Sequence, residues 1–136
     1  MTNWDVGLPG EPGVAFLSVD EVVAIHDRLI SRFGGLAGMR DPGLLESALF
    51  RPRTGYYQGL EEMAAALFES LLMNHPFDDG NKRVAFFATD VFLRINGWYV
   101  RVEPEPAHEF LMRLLDRGEC DFDRLLPWFR RSMVRL

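Results

Sequence analysis

The sequence predicts an all-α fold, a helical bundle around a buried central helix with a short strand or hairpin flap at its edge. Three observations carry this. Apolar residues recur at helical spacing along most of the chain, bounded by capping signals. Strand signals are confined to short runs such as "WYVRV". Residues 81–96 are apolar on nearly all sides, the pattern of a helix enclosed by others. A chain of 136 residues, 48% of them apolar, suits a single domain with a real core.

The elements follow in order. Residues 1–17 hold three glycines and two prolines and read as an N-terminal arm, with a short strand over 14–17. The folded domain spans 18–136. Ser18 caps the first helix, and Glu21 three residues on completes a capping box. Val22, Ile25, Leu29, Ile30 and Phe33 repeat along its apolar face until Gly34-Gly35 ends it. After the turn-rich "GGLAGMR", Asp41 is an N-cap and Pro42 takes the first helical position, where a missing N–H does no harm. "RPRTGYYQG" breaks the helical pattern and reads as a loop or short hairpin. "LEEMAAALFESLLMNH" is built from strong helix formers, and Pro76 stops or turns it. The apolar helix 81–96 comes next, closed by Gly97. "WYVRV" is a short strand, and amphipathic helices follow over 105–117 and 121–135, with Pro127 kinking or interrupting the last.

The bulk properties exclude several classes. A net charge of −5 argues against a general nucleic-acid binder. Cys120 is the only cysteine, so no internal disulfide forms, which fits a reducing compartment. No basic leader precedes a long apolar run, and the apolar runs fall short of the roughly 18–20 residues of a membrane span. The expectation is a cytoplasmic protein that binds neither membrane nor nucleic acid directly. No G-x-x-x-x-G-K-(S/T) loop is present, so this is not a P-loop kinase. His26 and His108 lack partnering motifs and read as surface or packing residues, while Trp98, Trp128 and Phe129 read as core.

Candidate chemistry concentrates in "HPFDDGNKR", residues 75–83, which connects two helices and opens the apolar one. A helix N-terminus presents unpaired N–H groups and a positive dipole end, a ready phosphate site. Gly80 lets backbone approach a ligand, Asn81 donates through its side chain or holds the turn, and Lys82 and Arg83 add positive charge. Carboxylates beside a phosphate require a cation between them, and Mg²⁺ held by one carboxylate and phosphate oxygens is the usual arrangement. Histidine is the side chain suited to accept a proton from an attacking hydroxyl near neutral pH. Taken singly, "DDGN" is an ordinary turn and "NKR" a solvated helix start. Their convergence before a buried helix points to chemistry on a nucleotide phosphate.

The stretch resembles the signature loop of the Fic/Doc (Fido) superfamily, H-x-F-x-(D/E)-(A/G)-N-(K/G)-R, at every fixed position. "IHDRLISRFGGLAGMRDPGLLESALFRPR" and "FLRINGW" resemble the flanking regions of death-on-curing (Doc) toxins, so the likeness covers roughly residues 18–100. It implies a Fido-type bundle and assigns roles. His75 is the general base, Asp79 the Mg²⁺ carboxylate, and Gly80 and Asn81 the anion cradle with Lys82. Arg83 holds phosphate and Phe77 anchors the loop in the core. Asp78 falls at the variable position and reads as a solvated turn residue.

Two departures bear on the reaction. Fic enzymes that transfer AMP usually have glycine where this chain has Lys82, and a second arginine where it has Phe86. Doc toxins share the lysine and lack that arginine. The resemblance therefore implies a kinase-type phosphotransferase that moves the γ-phosphate of ATP to a Ser/Thr hydroxyl of a translation factor, elongation factor Tu in the family, and so arrests translation. The alternatives are a Fic-type AMP or nucleotidyl transferase and a catalytically inactive Fido binding module. "RPRTGYYQG" lies where Fido proteins place a target-positioning flap, which makes Arg51, Arg53, Tyr56 and Tyr57 candidates for nucleotide or target docking. The inhibitory (S/T)-x-x-x-E-(G/N) motif of some Fic proteins does not occur. A separate cognate antitoxin is the partner the resemblance implies.

Overall fold

Residues 13–101 and 106–136 are described by the computed structural model, except for the side chains of residues 106–108 and 110. The order is α1 (Val19–Phe33), α2 (Pro42–Phe50), a 3-10 turn (Arg51–Arg53), α3 (Gly59–Asn74), α4 (Asn81–Arg94), β1 (Trp98–Val100), α5 (Pro106–Asp116), α6 (Phe122–Ser132) and β2 (Met133–Arg135). The fold is all-α, a helical bundle with one two-stranded edge.

The helix starts form as the capping chemistry requires. Ser18 Oγ accepts from Glu21 N at 3.1 Å, and Glu21 Oε1 accepts from Ser18 N at 2.8 Å. Asp41 accepts from Leu44 N, with Pro42 opening α2. Asp121 does the same for α6 through Arg124 N.

The hub of the bundle is α3. It packs against α2, α4, α6 and the 3-10 turn, and Met63 to Phe68 are buried without a break. Burying side chains such as Met63, Leu67, Phe68 and Leu71 contributes about 1.5–3 kcal/mol each. The other side of α4 rests on α1. Val84, Ala85, Ala88, Phe92 and Leu93 of α4 are buried, but Phe87 is 39% exposed and Phe86 half-buried. The all-round apolarity of this segment thus has two causes. One face is core, and the two phenylalanines wall cavities at the surface.

Four expectations change. Residues 14–17 are buried but form no strand, because their partner is a side chain. Asn96 Oδ1 accepts from Ala15 N at 2.8 Å, and its Nδ2 donates to Ala15 O at 2.8 Å, so the segment is pinned beside the end of α4. Residues 1–12 of the arm lie outside the described residues. Residues 51–53 coil as a 3-10 turn, and no hairpin forms before α3.

The last helix is not interrupted at Pro127 and does not reach residue 135. It passes through Pro127, whose absent N–H faces the exposed Asp123 turn, where water can serve the carbonyl. Met133–Arg135 then pairs antiparallel with Trp98–Val100, with Tyr99 opposite Val134. This pairing joins segments more than thirty residues apart, beyond the reach of local periodicity. Among the described residues no helix is long and apolar enough to cross a membrane.

Candidate active site

The site begins where α3 ends. His75 caps its C-terminus at φ 48°, ψ 57°, and is the one described non-glycine residue with positive φ. That conformation costs an L-residue about 1–2 kcal/mol and needs surroundings that enforce it. The chain then turns through Pro76 to Gly80 and enters α4.

Two internal devices hold this turn. Phe77 is 2% exposed, and its ring stacks on the buried His26 ring of α1 at 3.8 Å and 6°. His26 Nε2 donates to the Asp79 carbonyl at 2.7 Å, which fixes its tautomer. Asn81 grips Phe77 from the other side. Its Oδ1 accepts from Phe77 N at 3.1 Å, and its Nδ2 donates to Phe77 O at 2.9 Å. Of the two expected roles of Asn81, these bonds show the one that holds the turn, with Oδ1 and one Nδ2 hydrogen both engaged by Phe77.

A strap from residues 35–41 braces the outside. Leu36 N donates to Asp79 Oδ2 at 3.0 Å, Asp78 N to Gly38 O at 3.1 Å, and Arg40 N to Pro76 O at 2.8 Å. Met39 bridges Phe77. The strap runs so close that a Cβ on Gly35 would lie 2.6 Å from Asp79 Oδ2, at φ +116°. Arg40 completes it, with Nε donating to His75 O and Nη2 to Asn74 O, each at 2.7 Å.

Asp79 faces solvent, and both of its carboxylate oxygens accept backbone N–H bonds. The N–H of Leu36, then that of Gly80, holds its carboxyl below the ordinary carboxylate range. Among the described residues no group of three or more His, Cys, Asp or Glu side chains forms a metal cage. An ionised, exposed single carboxylate fits Mg²⁺ only in company with ligand phosphates, which is this ion's usual mode.

The first turn of α4 has no side-chain cap, since Gly80 precedes it in a left-handed conformation. Its leading N–H groups therefore point to the same space as Lys82 and Arg83, both exposed. Arg83 lies over the Phe33 ring with its Cζ 4.7 Å from the centroid. That space is a cavity of about 900 Å³ whose polar lining is His75, Asp78, Asp79, Gly80, Asn81, Lys82 and Arg83. Phe68, Phe86, Phe87, Leu111, Met112 and Leu115 supply its apolar lining. Such a cavity suits a ligand with an anionic tail and a flat apolar head.

The flap candidates lie elsewhere. Arg51 Nη1 donates to Glu69 at 2.6 Å and Ser70 at 2.9 Å, and its Nε donates to the Tyr57 hydroxyl at 2.7 Å. Glu69 also accepts from Phe122 N, so this network ties the 3-10 turn and α3 to the start of α6. Arg53 lies over the Phe16 ring and Tyr56 is 79% exposed. None of the four lines the cavity. Cys120 is buried, and burial pushes its thiol up to about 11, so it offers no nucleophile. His26, Arg40 and the strap glycines were missed as loop supports. The density of glycine in "GGLAGMR" was their one sequence signal, a hint of close backbone approach.

A family model, Fic/DOC, matches residues 16–93, which include the whole loop. "Protein kinase doc" of Escherichia phage P1 is 41% identical over 95 residues, covering 67% of this chain and 75% of that protein. "Toxin Doc" of Mycolicibacterium smegmatis is 41% identical over 99 residues, covering 68% and 76%.

Proposed function

The chain belongs to the Fic/DOC family, and from that premise we propose that it is a Doc-like toxin that phosphorylates a protein hydroxyl with ATP. The observation that carries this reading is one cavity shared by His75, Asp79 and the uncapped start of α4 with Lys82 and Arg83. The triphosphate lies against the N-terminus of α4, where N–H groups and the two cations meet its charge, and the adenine rests on the apolar lining residues. The acceptor oxygen attacks the γ-phosphorus. The bond from that phosphorus to the β,γ-bridging oxygen breaks, ADP leaves, and the hydroxyl proton passes to His75. Asp79 would hold Mg²⁺ with phosphate oxygens, and the ion, when bound, supplies neutralisation of phosphate charge.

Transfer of γ-phosphate in preference to AMP is supported by the Phe86 ring, half-buried on the cavity wall where AMP-transferring relatives carry an arginine. The acceptor we favour is a threonine or serine of elongation factor Tu, with translation arrest as the consequence and a cognate antitoxin as the restraint. All three come from the family resemblance, and the names of the two relatives, a protein kinase and a toxin, support only the kinase and toxin parts of the reading.

The test is transfer of label from ATP marked at the α or the γ position to a purified translation factor, with His75→Ala as control. Label from γ alone, lost in His75→Ala, is expected. Transfer from α would replace the reading with AMP transfer, and absence of His75-dependent label would leave a nucleotide-binding module.

A further inference from the structure

We propose that Arg40 is a positioning residue for His75, holding the strained turn that aims this side chain into the cavity. The inference rests on the reading of His75 as the base.

The carbonyls at a helix C-terminus lack partners within the helix and carry its negative dipole end. Here three successive carbonyls are served by one short piece of the strap. The Arg40 guanidinium takes those of Asn74 and His75, each at 2.7 Å, and Arg40 N and Asp41 N take that of Pro76 at 2.8 and 3.0 Å. The middle carbonyl belongs to the residue in the left-handed conformation. Such a conformation persists at a functional site when its surroundings over-determine it. Arg40 contributes that determination from outside, because it does not line the cavity. Two adjacent carbonyls suit the planar, rigid fork of arginine, and lysine would reach them only as a mobile point charge.

The devices of the phosphate cradle are separate. Gly80, Asn81 and the start of α4 are held by His26 and Phe77, not by Arg40. Loss of the Arg40 side chain therefore loosens the base and leaves the nucleotide site in place. A displacement of about 1 Å at a reacting group lowers a rate by as much as roughly 100-fold.

The experiment compares wild type, Arg40→Ala, Arg40→Lys, His75→Ala and the Arg40→Ala/His75→Ala double variant. For Arg40→Ala, kcat falls about 10- to 100-fold while nucleotide Kd stays within about 2-fold. Arg40→Lys is intermediate, and the double variant is no slower than His75→Ala alone. The second readout is the NMR signal of the His75 ring, assigned by its loss in His75→Ala. It shifts or broadens in Arg40→Ala while the His26 signal stays, whether or not the protein proves to be a kinase. An unchanged His75 signal, a parallel loss of nucleotide affinity, or a further rate loss in the double variant would overturn the proposal. Absence of transfer by the wild type, with the His75 signal moved as expected, would count against the kinase reading alone.

Discussion

Asn81→Ala separates a loop-closing residue from a ligand-binding one. The substitution removes both partners of the Phe77 backbone, the acceptor at 3.1 Å and the donor at 2.9 Å. Phe77 is 2% exposed, so its N–H and C=O lose their partners in a largely dry place. Each unmatched buried backbone group costs about 1–3 kcal/mol, and partial access of water to the loop places the pair near 2–4 kcal/mol. With a urea dependence of about 2 kcal/mol per molar, the unfolding midpoint falls by roughly 1–2 M. The assay is urea unfolding followed by fluorescence of the three tryptophans, without nucleotide. Lys82→Ala is the contrast. Its side chain is exposed toward the cavity, so stability stays within about 0.5 kcal/mol while nucleotide affinity drops. An Asn81→Ala midpoint equal to wild type, with nucleotide binding lost, would refute the loop-closing role and restore the amide to the phosphate.

Three further outcomes follow from the same geometry. Gly35→Ala places a Cβ 2.6 Å from Asp79 Oδ2 at φ +116°, so backbone strain of about 1–3 kcal/mol and displacement of the carboxylate lower both melting temperature and transfer rate; calorimetry and the label assay check this, and an unchanged pair of values contradicts it. Arg51→Leu leaves Glu69, Ser70 and Tyr57 without their partner and destabilises by about 1–3 kcal/mol, whereas Tyr56→Ala, at an exposed ring, changes stability by less than about 0.5 kcal/mol. If both behave alike in urea, the internal network is not what holds the 3-10 turn. The Asp79 carboxyl is depressed in the folded protein, so its bonds stabilise above its unfolded value, near about 4, and that contribution disappears as pH falls through the folded value. The stability gap between wild type and Asp79→Asn should therefore close on acidification, and a gap independent of pH between 3 and 7 would exclude the linkage.

Much of the bundle was legible because its signals are local. Ser18 with Glu21, Asp41 with Pro42, and Asp121 each start a helix through groups three residues apart. The loop 75–80 was legible for a similar reason, since its distinctive side chains are contiguous. The misreadings occur where the deciding partner is distant in sequence. Apolar character in Phe86 and Phe87 looked like core and is cavity wall, because hydrophobicity alone does not distinguish the two. Arg51 was a candidate for docking, but Glu69 and Ser70, eighteen and nineteen residues further along the chain, bind its guanidinium.

By itself, the sequence determined the helical class and the family, because capping, periodicity and a contiguous motif depend only on neighbours along the chain. Tertiary structure decided what each motif residue is free to do. Asn81 turned inward to Phe77, while Lys82 and Arg83 stayed open to the cavity. His26 and Arg40, fifty-three and thirty-five residues from their partners, became the supports of the loop. A hydrogen-bonding group can serve only a few partners at once, and which ones it meets is settled by packing in three dimensions.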